Sequence, residues 1–258
     1  MNRYRGKLRR ARQELLLARL IPNLLTLAAI SAGLTAIRFA LHDEFPMSVA
    51  MIVLAAAIDG IDGRVARMLK SESALGAELD SLADFLNFGV VPGMILYVWI
   101  EQHDVGGIWI AVLIYVICCV LRLARFNVDA RDPERSGSAR FFTGVPAPAG
   151  ALLALLPLYV DMALTDYGPM PGPMVSAYLV AVGGLMISRL PTYSFKTLRV
   201  STENARFILV GCMIPVAALF TYPWLTLIAV DILYLIGIAA AWRSARRGRK
   251  DEETHHGT

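Results

Sequence analysis

The sequence predicts an all-α, polytopic transmembrane helical bundle of about eight spans with an N-terminal interfacial helix. Three observations carry this. Of the 258 residues, 56% are apolar and only 18% are charged, against about 25% charged in an ordinary soluble domain. The apolar residues fall in blocks of roughly 20, long enough at about 1.5 Å per residue to cross about 30 Å of hydrocarbon. All 25 lysines and arginines except Arg38 lie in the termini or in and beside alternate connections, the asymmetry of cytoplasmic loops. A soluble globule, a secreted disulfide scaffold and a disordered chain are excluded. The net charge of +4 does not indicate nucleic acid, given where the charges fall.

Residues 1–20 are basic and helix-compatible, with Leu15–Leu17 supplying an apolar run. This predicts a juxtamembrane amphipathic helix on anionic headgroups. The first apolar block continues without an A-x-A site, so no cleaved signal peptide is expected. A transmembrane domain follows over 21–242. Its spans are expected at Ile21–Leu41, Pro46–Leu69, Gly76–Ile100, Gly107–Phe126, Ala147–Asp161, Pro173–Leu190, Asn204–Phe220 and Pro223–Trp242. The polar residues 243–258 read as a disordered tail. An even number of spans puts both termini on the cationic, cytoplasmic side. The opposite loops carry Asp43, Glu44, Glu101, Asp104, Asp161 and Asp166. Trp99, Trp109, Trp224 and Trp242 sit near span ends, where indoles anchor at the interface. Cys118, Cys119 and Cys212 lack metal-site spacing and read as reduced packing residues. Asp231, mid-span in the last helix, is expected to pair with a neighbouring helix.

Charged groups within a span cost a few kcal/mol each and mark function. Asp59, Asp62, Gly63 and Ala66 fall at i, i+3, i+4 and i+7, one face of a helix; Gly76, Asp80 and Asp84 repeat at i, i+4 and i+8. The short turn around Lys70–Ala74 makes these spans antiparallel neighbours whose acidic faces can meet near the cytoplasmic surface. Converging carboxylates repel unless cations neutralise them. Hard oxygen donors favour Mg²⁺ or Mn²⁺, and a pair of such ions is the usual clamp for phosphoryl chemistry. Gly63, Ala66 and Gly76 allow close approach of a ligand, and Arg67 offers a guanidinium to phosphate oxygens.

The run Asp59–Asp84 reads D-G-I-D-G-R-V-A-R, M-L-K-S-E-S-A-L, G-A-E-L-D-S-L-A-D. It resembles the signature of the CDP-alcohol phosphotransferase family, D-x-x-D-G-x-x-A-R-x8-G-x3-D-x3-D, at every fixed position. The resemblance implies a six-helix core, here extended by two spans, and a membrane enzyme that displaces CMP from a CDP-linked lipid. It assigns Asp59 and Asp80 to two divalent cations, Asp62 to one of them, and Asp84 to the second ion and to the acceptor hydroxyl as base. Gly63, Arg67 and Ser73 would contact the CDP moiety. Homodimers are common in the family.

Further segments resemble the branch of integral-membrane bacterial enzymes whose acceptor is L-serine. They are Pro22-Asn23-Leu24-Leu25-Thr26, Asp80–Asp84 followed by Phe88-Gly89 and Pro92, Leu121–Asn127 with Gly144–Pro148, and Ser188–Thr192 followed by Ser194–Lys196. Asn87 departs from that branch, many of whose members carry Ser there. Asn23 and Thr26 either contact the nucleotide or mark a helix start. Serine's carboxylate calls for a cation, and Arg122 and Arg125, with Asn127 beyond, are the candidates; positive-inside anchoring is the plainer alternative. The expectation is therefore phosphatidyl transfer from CDP-diacylglycerol to L-serine at the cytoplasmic face of a bacterial inner membrane. The alternatives are another acceptor (glycerol 3-phosphate, inositol phosphate or choline) or a divalent-cation transporter. A transporter would continue its polar groups to the far side, whereas here, Asp231 apart, they stop.

Overall fold

The computed structural model describes residues 2–69, 73–102, 107–131, 142–164, 170–188, 191–192 and 205–255, with side chains described in 20–69, 73–102, 107–129, 144–164, 170–188 and 213–243. The chain forms two compact units, 1–105 and 106–258.

In the first unit, α1 runs without interruption over Asn2–Ala40, so the basic stretch and the first span are one helix. Asn23 and Thr26 therefore lie inside a helix, which removes the helix-start reading for them. Helix α2 (Phe45–Met68) follows a tight turn containing Asp43 at φ 64° and packs along α1. The third span is composite: α3 (Ala74–Asp84), a π-helical segment over Phe85–Val90, and α4 (Val91–Glu101). The core between them holds Ala29, Ala36, Ile52, Phe88, Ile95, Leu96 and Trp99. Trp99 is 1% exposed, so it is a packing residue and not an interfacial anchor. Near Glu101, Gln102 donates a side-chain hydrogen bond to Asp43, joining the end of α4 to the turn between α1 and α2.

In the second unit, α5 (Ile108–Arg131) packs against α8 (Gly172–Ile187). Gly183 permits the approach, because a Cβ there would lie 3.3 Å from Cys118 and from the Tyr115 backbone. Between them come α6 (Ala147–Ala154) and α7 (Leu156–Ala163). Pro157 breaks that span, since it has no N–H to offer the carbonyl of Leu153. A backbone N–H at the helix end still reaches Leu153 O, and the Tyr178 hydroxyl adds a second donor to it at 2.7 Å. A two-residue antiparallel pair, β1 (Phe142–Thr143) with β2 (Pro191–Thr192), joins the loops beyond α5 and α8. It is too short to leave a period-2 signal in sequence. Helix α9 spans Ala205–Thr221 and α10 spans Pro223–His255. The latter corrects the disordered-tail reading of 243–258 as far as His255; alanine, arginine, lysine and glutamate are good helix formers and extend the last span.

All eight expected spans are helical over their described residues. Among the described residues, five helices are long and apolar enough to cross a membrane: 20–40, 45–68, 74–101, 108–129 and 223–243. The helices at 147–163 and 172–187 are shorter. Cys118 and Cys119 are buried free thiols, while the Cys212 side chain lies outside the described residues. Asp231 is buried, and its Oδ2 has no hydrogen-bond partner among the described residues, so the expected pairing is not found at that atom.

Candidate active site

The site is built by three helices of the first unit. Helix α1 packs against both α2 and α3, whereas α2 and α3 make little direct contact. The expected meeting of acidic faces is thus an open cleft closed at the back by α1, and not a packed seam. The cleft has a volume of about 260 Å³. Pro22, Asn23 and Thr26 line it from α1; Asp62, Gly63, Ala66 and Arg67 from α2; Ser73, Gly76, Ala77 and Asp80 from the start of α3. Every residue the sequence assigned to CDP borders it. Ala77 was missed, although its i, i+3, i+7 relation to Asp80 and Asp84 marks the same face.

Ligand oxygens of Asp59, Asp62 and Asp80 lie within 4.8 Å of one another. Asp84, one turn beyond Asp80 on the same helix, lies beside Asp59. Asp62 is the deepest member, 3% exposed. The Thr26 hydroxyl is placed to donate to Asp62 Oδ2 at 3.0 Å and to Pro22 O at 3.1 Å. This fixes the carboxylate from α1, a contact 36 residues apart that no local pattern announces. Asp80 and Arg67 are exposed in the cleft.

Backbone shape sets the cleft's mouth. Ser73 is extended (φ −140°, ψ 152°), and its Oγ accepts from Gly76 N at 3.0 Å, capping α3. A Cβ at Gly76 would lie 3.1 Å from both Asn23 Oδ1 and Ser73 Oγ, whereas one at Gly63 would meet nothing within 4 Å. A side chain at 76 would therefore press on Asn23 and Ser73 by a few tenths of an ångström, and Gly63 keeps the cleft wall open.

The π segment aims the acidic pair of the third span. At about 100° per residue, an unbroken α-helix would set Asp80 about 40° and Asp84 about 80° from the least buried stripe of α4, formed by Met94, Tyr97, Val98 and Glu101. A π hydrogen bond counts one residue more than an α bond. The extra residue carries both carboxylates about 100° further, to the side where α1 and α2 pack. It also brings Leu75 and Leu82, 66% and 62% exposed, into line with that stripe.

The donor set fits divalent cations. It consists of hard carboxylate oxygens only, brought to metal-bridging separation, where bare anions would repel each other. In the second unit, Arg122 stacks over Phe126 at 6.0 Å, and Arg125 Nη1 donates to the α8 carboxyl-end carbonyl of Ile187 at 3.1 Å. Asn127 is half-buried. Arg189, Lys196 and the Ser194–Lys196 match lie outside the described residues.

A polytopic helical bundle with a cation-suited acidic cleft inside its spans is a membrane protein built for phosphate chemistry. The chain belongs to the CDP-alcohol phosphatidyltransferase family, whose profile matches residues 19–242. Among curated relatives, the CDP-diacylglycerol–serine O-phosphatidyltransferase of Mycobacterium tuberculosis is 39% identical over 88% of this chain and 79% of its own. The proteins of the same name from Helicobacter pylori and Bacillus subtilis are 34% and 35% identical, over 86% and 57% of this chain and 91% and 81% of their own.

Proposed function

We propose that the protein is an integral-membrane enzyme transferring the phosphatidyl group of CDP-diacylglycerol to the hydroxyl of L-serine, giving phosphatidylserine and CMP. The observation that carries this is the convergence of Asp59, Asp62 and Asp80 beside a cleft that Asp62, Asp80, Arg67 and the small residues Gly63, Ala66, Gly76 and Ala77 line. The names of the relatives, matched over most of the chain, support serine as acceptor.

The acyl chains stay in the bilayer while the CDP head enters the cleft. Asn23, Thr26, Gly63, Ala66, Ser73 and Gly76 shape its seat, and Arg67 grips phosphate oxygens. Asp59, Asp62, Asp80 and Asp84 would hold two divalent cations, Mg²⁺ or Mn²⁺. Bound there, such ions neutralise charge that grows on the pyrophosphate as it cleaves. Asp84 takes the serine hydroxyl proton. The serine oxygen attacks the phosphorus bearing diacylglycerol, the bond from that phosphorus to the bridging oxygen breaks, and CMP leaves with the electron pair. Arg122 and Arg125, with Asn127, hold the serine carboxylate.

The cation distribution supports a bacterial plasma-membrane protein with termini and cleft facing the cytoplasm, its basic N-terminal residues drawn to anionic lipid. The family resemblance implies a homodimer.

The test is release of labelled CMP from CDP-diacylglycerol by the purified protein in vesicles. Serine should support release, EDTA should abolish it, and added Mg²⁺ or Mn²⁺ should restore it. Asp59→Asn and Asp80→Asn should each cost at least about 100-fold in kcat. Preference for glycerol 3-phosphate, inositol phosphate or choline would reassign the acceptor. No release with any alcohol would leave the cation-transport alternative standing.

A further inference from the structure

The π segment contains a residue that stability does not explain. Asn87 is fully buried, and neither its Oδ1 nor its Nδ2 has a hydrogen-bond partner among the described residues. A buried amide left unpaired is costly, so its presence calls for a reason. Its surroundings supply one. The amide lies against Gly33 of α1: a Cβ at Gly33 would overlap Asn87 Oδ1 and come within 3.1 Å of Cγ and 3.4 Å of Val91 Cγ2. The slot between α1 and the π segment is thus bare backbone on one side and admits only a thin side chain. An amide is planar at Cγ, whereas leucine, similar in size, presents tetrahedral methyls.

We propose that Asn87, seated in the notch at Gly33, is a positioning residue that holds the π segment and thereby points Asp80 and Asp84 into the cleft. Asn87 lies three residues beyond Asp84, inside the only π-helical turn among the described residues. If the seat were lost, the segment would relax towards α-helix, where the hydrogen-bond ladder is better. That relaxation would carry the acidic pair about 100° back towards the stripe containing Met94 and Tyr97. The proposal rests on the phosphatidyl-transfer reading for its activity arm and has a second arm that does not.

The activity arm compares Gly33→Ala, Asn87→Ala and the double variant of the full chain in vesicles. Gly33→Ala should lower kcat at least about tenfold, since small misplacements of reacting groups are expensive. KM for CDP-diacylglycerol should rise by less than kcat falls, because Ser73 and Gly76 turn with α3 while the binding groups on α1 and α2 stay in place. The double variant should match Asn87→Ala within about threefold, since without the amide the added methyl has nothing to overlap. Multiplying losses, or an unchanged kcat in Gly33→Ala, would overturn the proposal. Should Gly33→Ala fail to accumulate in membranes, Asn87→Ala is decisive in its place. It adds no bulk and should lower kcat at least about fivefold, with a smaller change in KM, and failure to do so sinks the idea.

The second arm places a spin label at Leu82→Cys with the three native cysteines replaced. Oxygen collision in the bilayer should be high with Gly33 and Asn87 intact and fall at least about twofold in Gly33→Ala, as the labelled face turns from lipid. An unchanged collision rate overturns the proposal. If the protein with Gly33 and Asn87 intact releases no CMP yet the label turns as expected, the functional reading has failed while the positioning role stands.

Discussion

Thr26 carries one hydroxyl, set between the deepest carboxylate of the cleft and the Pro22 carbonyl of its own helix. Thr26→Val keeps the shape and removes the donor, leaving Asp62 free to turn away from its neighbours. Loss of a group that orients a ligand typically costs about 10–100-fold in metal affinity or activity. The half-activating Mn²⁺ concentration should therefore rise by about that factor, while KM for serine changes less than about twofold. Equal sensitivity of both constants would show that Thr26 acts elsewhere. The aspartates themselves were legible in sequence because several charges on one helical face inside an apolar run are too costly to persist without a site to serve. The Thr26–Asp62 contact was not, because a side-chain hydrogen bond across 36 residues depends on helix packing and leaves no periodicity.

At the scale of elements, α3 shows how a helix end becomes part of a site. Ser73 caps the helix through Gly76 N and also borders the cleft. Ser73→Ala should lower thermal stability by about 1 kcal/mol, the usual worth of an N-cap. It should also raise KM for CDP-diacylglycerol severalfold, on the order of one lost hydrogen bond. Ser73→Asp separates the two effects, because it restores the cap but sets a negative charge beside the phosphates. Melting temperature should recover and KM should worsen. Recovery of both would confine Ser73 to capping. The eight spans could be placed from hydropathy, since long apolar runs are the strongest signal a chain offers. The π segment could not. From Phe85 to Ile100 nearly every residue is apolar, and a run without polar markers carries no phase from which an extra residue could be detected. The same uniformity hid the burial of Trp99.

For the whole molecule, cation asymmetry gives a sided arrangement that labelling can check. Tags at both termini of the protein expressed in a bacterium should be protected from protease in intact spheroplasts and digested after lysis. A cysteine at Gln102, where α4 has ended beside Asp43, should react with impermeant maleimide from outside. Opposite accessibility of the two termini would refute the even number of spans. Asp231 offers a complementary measurement. Its buried carboxylate lacks a partner at Oδ2, and an unmatched acid inside a bundle destabilises it. Asp231→Asn should hold or raise melting temperature without altering kcat; a loss of both would give that residue an unsuspected task.

The proline at 157 creates a debt that Tyr178 discharges from another helix. Neither position is therefore free to drift alone. Phenylalanine at 178 removes one of the two donors to that carbonyl, while alanine at 157 straightens the rod and leaves the phenol redundant. Among descendants of this chain the two substitutions should travel together, and a Pro157→Ala change should rescue Tyr178→Phe in a thermal-melt comparison.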